Sequence, residues 1–433
     1  MPHKWYNTIK SNSRHSRKLT IIGNMKYFFI LGRNPTLSGA ELGAVLGNQA
    51  KFLHLTAQAA VVDVKNELPA EEIMSRLGGT LKFGKILEES PDISAEDIAE
   101  ILKNSPAKKI YFGFSFYKLE ESVSTAHLKK ESQKIKNQAM EIKNLLKGIK
   151  IQARWVTSRE DNLSSVVVKK NKLLTEAGAE LVFLIGKEKI YFGKTLAVQE
   201  FEDLSFRDYG RPARSMRVGL MPPKLAKTML NFAQVKKDSA IIDPFCGFGT
   251  ILEEALLWGY ENLIGSDINA ETLAGAKENL EWLKNSYQLS ADGYQLIETD
   301  VRELSKKLPP QSVDAIVTEP YLGPPLHGNE PPEKIQQIIK ELSELYLAAF
   351  REFKKILKPA GKIVMLFPVF HTEKQDFFLP IIDEIKKIGF TVADPLPEEF
   401  KKYPFLETTP RNSILYFRPD QKVFREILIF TQK

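Results

Sequence analysis

The chain has little cysteine and no long apolar run. Cys246 is the one cysteine in 433 residues, which excludes an intrachain disulfide and any zinc site built on clustered thiolates. No stretch stays apolar long enough to span a bilayer as a helix. Residues 1–24 contain no acid and no apolar segment of the kind a secretory signal needs. They carry Lys4, Lys10, Arg14, Arg17 and Lys18 and read as a disordered basic tail, with Met25 as an alternative start. The glycine-rich stretch at 243–250 lacks the Lys-Ser or Lys-Thr of a phosphate-binding P-loop. It also lacks the third glycine of the dinucleotide fingerprint.

What is present suits a soluble globular protein, with 43% hydrophobic and 27% charged residues. A chain of this length is expected to fold as two or three domains. The net charge of +7 fits either a polyanionic partner or an ordinary lysine-rich surface. A cytoplasmic monomer with no membrane attachment and no metal is expected.

The most informative stretch is Ile241-Ile242-Asp243-Pro244-Phe245-Cys246-Gly247-Phe248-Gly249-Thr250. Two β-branched residues lead into an acid, a turn rich in glycine and an amphipathic helix. Gly247 and Gly249 allow the backbone close to a ligand. The helix behind them aims its free N–H groups at the same place. A second predicted strand ends at Asp267, where an acid of a doubly wound sheet holds ribose hydroxyls. An acid before the loop, two close glycines and an acid ending the next strand point to S-adenosylmethionine. Cys246 reads as a small buried residue of that loop.

Before this unit, strands are predicted over 26–32, 59–64, 109–117, 149–156, 179–185 and 190–198. Helices are predicted over 36–46, 70–77, 93–102, 125–147 and 163–174. The second part of this half is basic and carries aromatic strands. Arg154, Arg159, Lys169 and Lys170 are its candidate nucleic-acid contacts, against the plainer reading of an exposed helix face. A connector over 200–220 holds Arg207, Arg211, Arg214 and Arg217 and reads equally as a phosphate-facing hinge or as a soluble linker. After it come a helix over 224–232 and regular strand–helix alternation closing in an antiparallel pair, with helices expected over 269–283, 342–357 and 377–388. The strand over 313–318 delivers Glu319-Pro320-Tyr321.

The segments DPFCGFGTILEEA, GSDINAETLAGAKENL, TEPYLG and RPARSMRVGLMPPKLAKTMLNFA resemble the THUMP-containing tRNA guanine N2-methyltransferases, most closely the archaeal and eukaryotic guanine-10 type. RLGGTLKFGKIL and YFGKTLAVQEFEDLSFRDYGRP resemble that family's N-terminal segments and linker. The resemblance implies an α/β chain: a ferredoxin-like domain over 25–90, a THUMP RNA-binding domain over 91–199, a linker over 200–237 and a Rossmann-like class I methyltransferase domain over 238–433. It implies S-adenosylmethionine as cofactor and tRNA as partner. Asp243, Gly247 and Gly249 would take the methionine end, Asp267 the ribose and Asp300 the adenine amine, with Phe245, Thr250, Ile268 and Val301 completing the cofactor set. The family's catalytic motif is Asp or Asn, Pro, Pro and an aromatic. Here Glu319, Pro320 and Tyr321 stand in its place, with a longer acid and an aromatic one position early. Two other readings stay open: methylation of another nucleic-acid amine, and an RNA-binding protein without catalysis.

Overall fold

The computed structural model describes residues 25–214, 221–289, 293–418 and 421–433. The basic tail and Arg217 lie outside them. Eight strands build the N-terminal half: β1 Met25–Leu31, β2 Ala50–Leu55, β3 Ala59–Val64, β4 Thr80–Ser90, β5 Lys109–Lys118, β6 Gln152–Val156, β7 Gly178–Ile185 and β8 Ile190–Val198. They form one continuous sheet in the order β2-β3-β1-β4-β8-β7-β5-β6. The seam between the two units read from sequence is the antiparallel pairing of β4 with β8. The backbone hydrogen bonds therefore run across position 90 without a break.

Several expected elements differ, each for a local reason. The lysine-rich helix over 125–147 is two helices, Thr125–Asn137 and Ala139–Gly148. Gln138 closes the first with a tightened bond to the Ile135 carbonyl, and its side chain donates to the Ile93 carbonyl at 3.1 Å. That bend keeps Ile142 and Leu146 in the core. The helix expected over 377–388 starts later, at Ile382–Ile388, after a short strand Asp376–Phe378. Pro380 disfavours a helical backbone at the residue before it. The connector contains a helix, Phe201–Tyr209, that polarity had masked.

The C-terminal half contains β9 Ala240–Asp243, β10 Asn262–Asp267, β11 Tyr294–Glu298, β12 Val313–Thr318, β13 Leu357–His371, β14 Asp376–Phe378, β15 Phe390–Ala393, β16 Ile414–Tyr416 and β17 Val423–Gln432. The sheet order is β11-β10-β9-β12-β13-β17-β15, with β14 on β13 and β16 on β17. β11, β10, β9, β12 and β13 are parallel, and β17 returns antiparallel. Burial on both faces explains the apolar runs Ile241–Ile242 of β9, Ala315–Val317 of β12 and Ile363–Phe367 of β13. No helix among the described residues is long and apolar enough to cross a membrane.

The two halves share a core. Helix Pro35–Leu46 packs on helix Pro223–Ala233, and one apolar cluster runs from Tyr27 and Phe83 to Leu366 and Ile427. At its centre Glu41 is fully buried and accepts from Gly78 N at 2.9 Å, Gly79 N at 2.8 Å, Thr228 Oγ1 at 3.0 Å and Asn231 Nδ2 at 2.9 Å. A buried carboxylate is tolerable only when so satisfied. Burial still holds it above the ordinary carboxylate range. This junction fixes the glycine turn of the N-terminal half against helix Pro223–Ala233.

Candidate active site

Four acids stand at or just past the carboxyl ends of adjacent strands: Asp243 ends β9, Asp267 ends β10, Asp300 follows β11 and Glu319 follows β12. Because the order is β11-β10-β9-β12, they form a row along one sheet edge. From β9 the chain builds outward to β10 and β11, then crosses back to β12. That reversal opens the crevice in which open α/β sheets bind ligands.

The glycine loop is shaped by its backbone. Gly247 has φ +52° and Gly249 φ +89°, a region that side chains disfavour. A Cβ at Gly247 would meet nothing within 4 Å, so this face of the loop is open. Gly247 N donates to Asp267 Oδ2 at 3.1 Å and Asn269 N donates to Oδ1 at 2.9 Å. Two backbone donors thus aim the Asp267 carboxylate. Asp243 is 3% exposed, and its Oδ1 accepts from Thr318 Oγ1 at 2.6 Å and from Phe245 N at 3.2 Å. Burial raises its carboxyl to about 7. Cys246 is buried beneath the loop, and burial pushes its thiol up, away from nucleophilic use.

The remaining predicted cofactor residues divide. Ile268 is 65% exposed beside Asp267 and Phe245 is half-buried, so both offer apolar surface at the edge. Thr250 and Val301 are buried. The Thr250 hydroxyl accepts from Arg211 at 2.6 Å, and Val301 packs with Ile242 and Leu304. Asp300 caps the turn after β11, accepting from Arg302 N and Arg302 Nε, both at 2.9 Å. The Arg302 side chain is itself well exposed. Its hydrogen bond to Asp300 holds that carboxyl below the ordinary range.

Glu319 lies deeper than a rim acid. Arg425 Nε, from β17, donates to its Oε1 at 2.6 Å, and both side chains are largely buried. Burial raises the Glu319 carboxyl, and Arg425 offsets part of that rise. The next residues turn outward: Tyr321 is 58% exposed, while the fully buried Tyr346 donates to the Tyr321 carbonyl at 2.9 Å. The motif is therefore pinned by its backbone, with its acid inside and its ring outside.

The basic candidates are corrected in part. Arg207 and Arg211 are each 2% exposed and cannot face a phosphate. Arg207 binds Glu254 through Nε at 2.6 Å and NH2 at 3.1 Å, and also Asp203. Arg211 lies 3.5 Å from Glu253, whose carboxyl burial raises to about 7. Charges in a polar connector read as exposed, but here they neutralise two adjacent acids at the start of the glycine-loop helix. Asn279 completes the tie, accepting from Ala213 N and donating to Phe248 O. Lys169 pairs with Glu200 and Glu202. Arg154, Arg159, Lys170 and Arg214 are exposed.

This architecture is Rossmann-like: an open, mostly parallel sheet whose strand order reverses beside the row of acids. The crystal structure of TrmN from Thermus thermophilus shares the fold, with a TM-score of 0.50 at 15% identity, covering 94% of this chain and 100% of that one. Residues 211–375 match the family UPF0020, described as an RMKL-like methyltransferase domain. That match starts at Arg211, inside the connector, in keeping with the connector's burial against the glycine-loop helix. Among curated relatives, the tRNA (guanine(10)-N2)-dimethyltransferase of Methanothermobacter thermautotrophicus is 37% identical over 28% of this chain and 33% of its own. The protein of the same name from Methanocaldococcus jannaschii is 36% identical over 34% of this chain and 41% of its own. The Bos taurus U6 snRNA (guanine-N(2))-methyltransferase THUMPD2 is 30% identical over 34% of this chain and 25% of its own. The chain thus matches well under half the length of each of these relatives.

Proposed function

We propose that this protein transfers a methyl group from S-adenosylmethionine to the exocyclic N2 amine of a guanine in tRNA, of the position-10 type. The observation that carries this reading is the row Asp300, Asp267, Asp243 and Glu319 beside an open glycine loop at the crossover between β9 and β12. Anionic side chains suit a sulfonium cation. The aimed Asp267 carboxylate suits a diol, and the apolar Ile268 suits the flat face of a base. The names of the relatives above support guanine N2 as the acceptor.

When bound, S-adenosylmethionine supplies an electrophilic methyl and departs as a neutral thioether. The chain's residues do the rest. An exocyclic guanine amine is a weak nucleophile because its lone pair is conjugated with the ring. Glu319 Oε2 and the Pro320 carbonyl would accept its two N–H groups and bias the nitrogen towards tetrahedral geometry. Arg425 holds the other oxygen, Oε1, and so fixes the carboxylate's direction. Transfer would form the C–N bond as the C–S bond breaks, and Glu319 or water would take the surplus N2 proton. Most of the acceleration comes from positioning. Tyr321 offers an exposed ring on which the extruded base can stack.

The decisive experiment is transfer of labelled methyl to unmodified tRNA, followed by nucleoside analysis. N2-methylguanosine is the expected product. Label in another nucleoside redirects the assignment, and no label in tRNA sinks it. A second test addresses the cofactor. Asp267→Ala is expected to weaken S-adenosylmethionine binding by about 10- to 100-fold, the usual consequence of losing a hydrogen bond to a charged group. Thermal stability should change little. Unaltered affinity by titration calorimetry would remove Asp267 from the site.

A further inference from the structure

The sheet does not stop at the row of acids. β12 ends at Thr318, paired with Met365 of β13, yet β13 continues to His371. Those extra residues extend about 20 Å at the rise of a strand. The start of β17 accompanies them, with β14 and β16 at its sides. The result is a β wing projecting past the carboxyl edge, beside the Glu319 motif.

The wing carries a stack of three rings. Phe417 lies on Phe424 with centroids 4.4 Å apart and planes at 22°. Phe424 lies on His371 at 4.7 Å and 19°. Asp376 holds His371 through Nδ1 at 2.7 Å. The inner ring, Phe424, is 7% exposed, whereas Phe417 is 49% exposed at the end of the stack. Among the described residues Phe417 has no second ring partner. Arg418 follows it in sequence and Lys422 lies just before the strand. Neither forms an ion pair among the described residues.

One contact links the wing to the site. Phe424 directly precedes Arg425, the partner of Glu319, so their side chains leave β17 on opposite faces and the stack backs onto that pair across the strand. The loop that follows Tyr321 reaches the wing, where a Cβ on Gly328 would lie 2.8 Å from Lys422 Cε. An exposed ring, cations close to it in sequence at Arg418 and Lys422, and a site that needs an extruded nucleotide form one arrangement.

We propose that the wing is a stacking platform for an unpaired RNA base flanking the target nucleotide, seated on Phe417 with its phosphates near Arg418 and Lys422. This rests on the RNA reading above and goes beyond it by assigning a subsite for the neighbouring nucleotide. Every base has a π face, so such a platform accepts any sequence. The competing account is that Phe417 and Phe424 are only a cross-strand pair stiffening the hairpin.

The test uses the full chain with Phe417→Ala, Phe417→Leu and Phe417→Trp. Affinity is measured by fluorescence anisotropy for a short single-stranded RNA and for the same strand in a duplex. Methylation of unmodified tRNA is measured in parallel. The Ala and Leu variants should bind single-stranded RNA about 5- to 100-fold more weakly, the range of one lost base stack. The Trp variant should match or exceed wild type, and duplex binding, cofactor affinity and melting temperature should hold. The Leu variant separates stacking from packing, because it keeps apolar volume without a flat face. Wild-type affinity in the Leu variant, equal losses on duplex and single strand, or no single-strand binding by wild type would each overturn the proposal. Ring-dependent RNA binding without tRNA methylation by wild type would sink the functional reading alone. Methylation of tRNA by the Leu variant with unchanged KM would sink the platform alone.

Discussion

Glu319→Gln is expected to lower methyl transfer at saturating RNA and cofactor by about 100-fold or more, the scale seen when one preorganised group facing the reacting centre is removed. The amide keeps an acceptor oxygen but adds two donors and loses the charge. In this structure the change has a second consequence. Arg425 Nε is committed to Glu319 Oε1 at 2.6 Å in a largely buried pair. The amide must therefore present its oxygen to Arg425 and its NH2 group to the target. That NH2 group meets the guanine amine donor to donor, so the acceptor the reaction requires is replaced by a repulsive contact. Cofactor affinity should change less, since the Gly247 loop follows the adjacent β9 and Asp267 ends β10, two strands from β12. Single-turnover methylation and cofactor titration on the same variant give both readings. Were the pair with Arg425 purely structural, turnover would stay near wild type and only the melting temperature would fall. Near-normal methylation would end the catalytic assignment.

Asp243 and Glu319 were legible in the sequence because each follows an apolar, β-branched run, and such runs end at the ligand-binding edge of a parallel sheet; Asp267 and Asp300 were placed by their spacing after that first strand. The glycine loop was legible for the same reason, with a strand before it and a helix after it. Arg425 was not, because it lies 106 residues from Glu319 on a strand whose antiparallel return brings the two together. Glu41 was equally hidden. Its helix has no clear apolar face to mark one acid as inward, and only the packing of helix Pro223–Ala233 turns that acid into a buried junction. The arginines of the connector were misread because polarity alone cannot separate a solvated charge from a neutralised one. A signal was available: Glu253-Glu254 directly after an apolar loop helix start are two acids with nowhere to go except against cations. β2 was missed because Lys51 and His54 interrupt its alternation, and pairing with β3 overrides that local pattern.

The connector network carries the largest stability prediction. Glu254 is 0% exposed and Arg207 2%. The guanidinium meets that carboxylate with two bonds, 2.6 and 3.1 Å long. Its NH1 donates to Asp203, and Tyr287 donates to the same acid. Burial alone would lower the Arg207 pKa, and pairing with Glu254 more than reverses that. Arg207→Ala removes the cation bonded to Glu254 and leaves that acid in the core without an ion-pair partner. Stranding one member of a buried pair costs about 3–5 kcal/mol, a large share of the roughly 5–15 kcal/mol that holds a domain folded. Removing both charges should cost less, because the pair's mutual attraction is largely spent against desolvation. Arg207→Met with Glu254→Leu is therefore expected to recover much of the loss. Glu254 sits on helix Thr250–Leu257, directly behind the glycine loop, so the single variant should also weaken cofactor binding before it unfolds, and the double variant should weaken it less. Urea denaturation with cofactor titration at a temperature where all variants are folded reads both effects. A loss under about 1 kcal/mol, as for an exposed ion pair, would mean that water reaches Glu254 and that the connector is not built into the core of the C-terminal half.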